Sequence, residues 1–252
     1  MPCHEKNSPP FPKRVLDALL DVLFPRECLV LGGFPEESPY RFLSVAARER
    51  LRVIGEECCP ACGAPNPYRS VERGECSFCR GRKFLFGRSR SLVVYDDAAR
   101  KIVHAVKYRA THGALADLAE IAAEEEFFRA HLEGATLVPV PLSRNGLARR
   151  GYNQSEIFAR ELAKRIPGTR VENLLVRVRD TGTQTKLGAL SRRLNVRNAF
   201  AVPEKLAAKI SPSTRYVVID DVFTTGSTLS ECARALKRAG AKNADAATFA
   251  HG

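Results

Sequence analysis

Val217–Thr228 reads VVIDDVFTTGST, and the chain continues as LSECARALKRAG to Gly240. Val217, Val218 and Ile219 form the apolar, β-branched run that a parallel strand buried on both faces requires. Asp220 and Asp221 fall where that strand should end, which in an open α/β sheet is the edge that meets ligands. Thr224, Thr225, Gly226, Ser227 and Thr228 then turn the chain into a helix expected over 229–239 and stopped by Gly240. Successive backbone N–H groups at such a turn, reinforced by the helix dipole, cradle an anion. Gly226 lets the backbone approach a phosphate closely, and the neighbouring hydroxyls add donors. Two adjacent carboxylates would repel a bare phosphate, so they must meet hydrogen-bond donors or positive charge. A ribose 2′,3′-diol or a magnesium ion meets that need. A ligand-free acidic turn with a threonine N-cap is the alternative, but it gives no reason for the full ordered run. The G-x-x-x-x-G-K-[ST] and G-x-G-x-x-G patterns of other nucleotide sites are absent.

Outward from this stretch, strands and helices alternate. SLVVY (91–95) and LVPVP (137–141) read as short strands, with a further run at 216–219 and a last one at 245–250. Helical spacing recurs near 98–107, 115–129 and 154–165. The pattern predicts a doubly wound, mostly parallel sheet from about residue 92 onward. GRSRS (87–91) reads as a linker, which divides the chain into residues 1–90 and 91–252. The first part carries a short amphipathic helix at 15–24, a Gly/Pro-rich stretch, a possible helix at 44–53 and a cluster of cysteines.

Val138–Ser155, VPVPLSRNGLARRGYNQS, places Arg144, Arg149 and Arg150 beside a strand end, where guanidinium groups suit the oxygens of a pyrophosphate. On charge alone a solvated basic loop would look the same. Thr183-Gln184 and SRRLNVRNAF (191–200) add Arg192, Arg193, Asn195 and Arg197.

VVIDDVFTTGST resembles the signature by which type I phosphoribosyltransferases bind phosphoribosyl pyrophosphate (PRPP). The resemblance implies that Asp220 and Asp221 hold the ribose hydroxyls and that Thr224–Thr228 hold the 5-phosphate. Taken with VPVPL…RRGYNQ, TQ…RRLN…F and Lys107-Tyr108, in that family's order over roughly residues 92–252, the chain is similar to the ComF/GntX family. That likeness implies that Lys107, Arg150, Asn153 and Gln154 line the site, with Arg149 on the same pyrophosphate or acceptor side. It implies a type I phosphoribosyltransferase fold, magnesium with PRPP, transfer to an unknown acceptor such as a base or nucleotide, and a link to natural transformation. Single-stranded DNA and proteins of the competence machinery are the further partners it implies. A non-catalytic PRPP-binding or single-stranded-DNA-binding competence module is the alternative, and no residue presents itself as a general base. One departure is the C-terminus, where many members carry an arginine after the last strand and this chain carries His251-Gly252.

Cys59-Pro-Ala-Cys62 and Cys76-Ser-Phe-Cys79 give C-x2-C-x13-C-x2-C, the spacing of two knuckles that hold one tetrahedral zinc. Cys58 could stand in for Cys59, since spacing does not separate neighbours. The family commonly has a further pair of knuckles upstream; here CLVL at 28–31 has lost one member, so that second site reads as degenerate. Cys232 falls on an apolar helix face and reads as core, and His104, His112 and His131 have no ligand spacing with the cysteines.

The 252 residues carry a formal net charge of +12, with +4 in residues 1–90 and +8 in the remainder. Such a balance suits phosphorylated ligands or nucleic acid, and suits a solvated basic surface equally. Few aromatics interleave the basic residues, which weakens a single-strand stacking platform. No apolar run approaches the roughly 20 residues of a membrane span, and Asp17 and Asp21 interrupt the one candidate signal sequence, so a cytoplasmic protein is expected.

Overall fold

The computed structural model describes residues 27–34, 38–65, 76–179 and 196–252. The helix expected at 15–24, Thr183-Gln184, Arg192, Arg193 and Asn195 lie outside them. In chain order the elements are α1 (Val45–Glu49), β1 (Ser89–Val94), α2 (Asp97–Tyr108), α3 (Ala114–Glu124), α4 (Glu126–Leu132), β2 (Thr136–Pro139), α5 (Arg144–Arg150), α6 (Gln154–Ala163), β3 (Arg170–Val171), β4 (Val176–Arg177), β5 (Phe200–Ala201), α7 (Glu204–Ala207), β6 (Arg215–Phe223), α8 (Ser227–Arg238) and β7 (Asn243–His251).

Five strands form one sheet in the order β1-β7-β6-β2-β3, and every ladder in it is parallel. β4 and β5 pair separately as a short antiparallel ribbon. Because strand side chains alternate between faces, β6 feeds two cores. Val217 and Ile219 point to the face covered by α2, α3, α4 and α6. Tyr216 and Val218 point to the opposite face, covered by α8. β7 divides in the same way, with Ala247 and Phe249 on the first face and Ala244 and Ala246 on the second.

The N-terminal part packs against both layers. Asp117 on α3 is buried and accepts hydrogen bonds from the Arg41 and Phe42 amides (3.0 and 2.7 Å), which ties residues 38–51 over the first face. Ile54 donates to Leu92 O and Val94 to Arg52 O, so the chain pairs with the free edge of β1. Cys59, Cys62 and Cys76 join the second core beside α8.

Several expected boundaries move. Gly87–Ser91 is no free linker: Gly87 N donates to Ala244 O, Arg88 N donates to Asp245 Oδ1, and Ser89 already begins β1. The helix expected over 115–129 divides at Glu125, which adopts an extended backbone. The helix expected over 44–53 is the single turn α1. The basic segment read as a loop folds instead as α5, capped by Ser143 and closed by Gly151 at φ 78°.

Candidate functional site

β6 does not end at its acids. Its ladder with β7 continues through Asp220↔Thr248 to Phe223↔His251, so Asp220 and Asp221 lie within the strand and not at its end. Each side chain finds its own partners. Asp220 Oδ1 accepts from Ser155 Oγ at 3.1 Å and from the Asp221 amide at 2.9 Å. Asp221 Oδ2 accepts from Gln154 Nε2 at 3.1 Å and pairs with Lys107 Nζ at 2.8 Å. Arg150 Nη1 donates to Gln154 Oε1 at 2.7 Å, which extends the network to the end of α5. The Arg150 Nε is buried with no protein partner.

Local sequence explains the convergence. Asn153 caps α6 through the Ser155 amide (3.1 Å), and its Nδ2 donates to Val140 O (3.0 Å) just beyond β2. That double anchor sets the first two helical residues, Gln154 and Ser155, against the acids of β6. Lys107 arrives from the last turn of α2. Arg149 lies exposed on α5, away from these contacts.

The charges are finely set. Burial and the adjacent Asp221 carboxylate raise the Asp220 pKa to about 7. Burial opposes the charge on Lys107, but the Asp221 carboxylate outweighs it and holds the ammonium above its ordinary range. The network thus stores one firm ion pair next to a carboxyl poised near neutrality.

After Phe223 the chain turns at Gly226, whose φ of 70° is left-handed, into α8. A Cβ there would lie 2.7 Å from both Phe84 Cε1 and Phe223 Cζ, so glycine is required twice over. Thr225 Oγ1 donates to Ser227 Oγ at 2.9 Å. Gly226 supplies no side-chain cap, and the Ser227 amide makes a long bond to Thr225 Oγ1 at 3.4 Å, so the turn presents backbone N–H groups of the kind that suit an anion. Asp220 and Thr224–Leu229 together line a small concavity.

Below this loop the four thiols of Cys59, Cys62, Cys76 and Cys79 lie within 4.8 Å of one another. The separations of 3.7 Å (Cys59–Cys79), 3.4 Å (Cys62–Cys76) and 3.3 Å (Cys76–Cys79) approach the edge of about 3.8 Å that four sulfurs at about 2.3 Å from one ion would form. Burial pushes Cys79 up to about 12 and Cys62 higher still. Burial also opposes ionisation of Cys59, yet hydrogen bonds from the Cys62 and Ala61 amides bring its thiol down to about 7. These four residues could hold a metal ion. Cys58 is turned away, in a bridge with Pro65, so Cys59 is the member of the group. Cys28 instead lies 3.5 Å from Ser44 Oγ. Cys232 is fully buried on α8, and His131 on α4 is buried with Nε2 3.0 Å from Ala246 O.

Two contributions escaped sequence reasoning. Ser155 is an ordinary serine until Asn153 caps the helix beside it. Phe78, Phe84 and Phe86 surround Phe223, and nothing in their spacing advertises a common target.

A parallel sheet with an acidic pair on its central strand and a glycine-turned loop after it defines a phosphoribosyltransferase-type domain. The family model for the phosphoribosyl transferase domain matches residues 146–252. The chain is 32% identical to the DNA utilization protein YhgH of Salmonella typhimurium over 81% of its own length and 87% of the relative's. It is 38% identical to competence protein F of Haemophilus influenzae over 41% of this chain and 44% of that one. With competence protein ComFC of Bacillus subtilis it shares 28% identity over 81% of each chain. The chain belongs to the ComF family. A glutamine PRPP amidotransferase structure from B. subtilis covers 54% of this chain and 26% of its own at 22% identity and a TM-score of 0.32, a likeness too distant to bear on function.

Proposed function

We propose that the chain binds PRPP with magnesium and transfers its 5-phosphoribosyl group to an acceptor, a base or nucleotide in chemical class. The observation that carries this reading is the convergence of Lys107, Gln154 and Ser155 on Asp220 and Asp221, one turn of chain before the Thr224–Thr228 loop. The loop amides and hydroxyls would take the 5-phosphate, and the two carboxylates would accept from the ribose hydroxyls. Lys107 and Arg150 stand where negative charge develops as pyrophosphate leaves C1 and the acceptor bonds there. Magnesium supplies further charge neutralisation on the pyrophosphate when bound. Asn153 holds Gln154 and Ser155 in place, and Arg149, exposed on α5, would offer the same leaving group a second guanidinium. Zinc is the ion we assign to the four cysteines, in a structural role, on sulfur-only ligation with no open position.

PRPP with magnesium should raise the melting temperature, and Asp220→Asn combined with Asp221→Asn should remove that rise. No shift in the unsubstituted protein would overturn both PRPP binding and catalysis. Pyrophosphate release in the presence of bases or nucleotides then separates an enzyme from a non-catalytic binder.

The names of the relatives favour a second role, in handling DNA during competence. Single-stranded DNA binding that falls steeply with salt, and is lost with Arg192→Ala and Arg193→Ala, would support it; binding unchanged by both substitutions would count against it. Among the described residues no helix is long and apolar enough to cross a membrane.

A further inference from the structure

We propose that the four-cysteine knuckle is a positioning device for the phosphate loop, so that metal binding and 5-phosphate binding reinforce each other. The inference rests on the phosphoribosyl reading of the loop.

The physical connection runs through one aromatic cluster. Phe78 lies between two of the cysteines, Cys76 and Cys79, and its ring is 5.7 Å from Phe223 and 4.8 Å from His251. Phe84 and Phe86 stack on each other at 4.7 Å and both meet Phe223 edge-on, at 6.0 and 6.2 Å. Phe223 is fully buried and is the last residue of β6 before the loop. The cluster also touches the loop itself. Phe84 closes over the left-handed turn so tightly that Gly226 has no room for a side chain.

A polar tie adds direction to the packing. The Leu85 amide donates to Ser230 Oγ at 2.9 Å, and the Ser230 amide donates to Gly226 O at 2.9 Å. Residues 79–86 therefore form a short strap that leaves the metal ligands and lands on the first turn of α8. Near Cys79 the strap is held by the Arg82 amide on Cys79 O (2.9 Å) and by the Arg82 guanidinium over Phe78 at 4.8 Å.

Four thiols of this geometry order their knuckle chiefly through the ion they share. When the ion leaves, the strap loses its fixed end. Phe84 is then free to withdraw from Gly226, and the anion cradle loses one wall. Coupling between two binding events is reciprocal by thermodynamic necessity. An occupied phosphate loop must therefore hold the metal more tightly, by the same factor that the metal strengthens phosphate binding.

The test uses the full chain loaded with zinc, with ribose 5-phosphate as the probe. Calorimetry gives its dissociation constant for the unsubstituted protein, Phe84→Ala and Phe84→Leu. In parallel, zinc transfer to a chromophoric chelator is followed with and without saturating ribose 5-phosphate. We expect the ligand to reduce zinc loss about fivefold or more, the lower end of typical coupling. We expect Phe84→Ala to weaken ribose 5-phosphate binding by a similar factor and to abolish the protection of zinc, with Phe84→Leu restoring part of both. If Phe84→Ala does not fold, the effect of ligand on zinc loss in the unsubstituted protein decides alone. Normal ribose 5-phosphate binding with zinc loss unchanged would overturn the coupling and leave the phosphoribosyl reading standing. Absence of binding to the zinc-loaded protein would overturn the phosphoribosyl reading, and the coupling with it.

Discussion

Asp220 is the residue on which acidity should act first. Its pKa of about 7, raised by burial and by Asp221, leaves it largely protonated at pH 6 and largely ionised at pH 8. Only the ionised form accepts hydrogen bonds through both oxygens, as a ribose diol would need. PRPP affinity should therefore fall as pH drops through 7, towards about tenfold per unit below it. Asp220→Asn should flatten that part of the profile and leave only the ligand's own titration; calorimetry between pH 6 and 8.5 measures both. The linkage to folding has the opposite sense. A carboxyl whose pKa is raised on folding costs stability that is absent below about pH 4, its unfolded value, and grows until pH passes 7. Asp220→Asn should accordingly raise the melting temperature more at pH 8 than at pH 5, and an equal shift at both would contradict the assignment. At this scale the acids and the loop were legible because their types in that order carry a chemistry. Ser155, Phe84 and Phe86 were not, since a serine or a phenylalanine acquires its role only from the backbone that aims it.

Asn153 decides how α6 meets the sheet. It caps the helix and bonds Val140 O, so one side chain fixes both the start of α6 and the exit of β2. Asn153→Ala should cost about 1 kcal/mol for the lost cap, with a further contribution of similar size from the second bond. Urea unfolding measures that loss. Because Gln154 and Ser155 follow directly, PRPP binding should weaken more than the stability change alone explains; Asn153→Asp, which keeps the cap but loses the amide donor, should recover part of the stability. Elements were read well where apolar periodicity was strong, as in α2, α8 and the central strands. They were misread where partners outside the segment decide. β6 runs past its acids because β7 offers a pairing partner as far as His251. α5 looked like a loop because it buries no residue, and its ends are set by Ser143 and Gly151 and not by a hydrophobic face.

At the scale of the whole molecule, the described residues fold around two cores, one on each face of the five-stranded sheet, and the cysteine knuckle contributes to only one of them. Cys59, Cys62 and Cys76 lie in the core that also holds Tyr216, Val218 and the buried face of α8. The cysteine cluster followed by GRSRS at 87–91 invites the picture of a small metal module tethered to a larger domain. The packing of Gly87 and Arg88 on Ala244 and Asp245, and the antiparallel bridge of Val53 with Val93, give the two parts common hydrogen bonds. Shared cores predict shared unfolding. Stripping the metal with a chelator should therefore lower one cooperative melting transition as a unit. Each kcal/mol of metal-linked stability should be worth roughly 2–4 °C in a chain of this size. A tethered module would behave differently, giving a separate low-temperature transition that disappears on chelation while the main one stays in place. Calorimetric scans with and without chelator distinguish the two outcomes, and amide exchange sharpens them. With the metal removed, protection should fall along Tyr216, Val218 and α8 before it falls along α3 and α6, because the knuckle supports the second face and not the first.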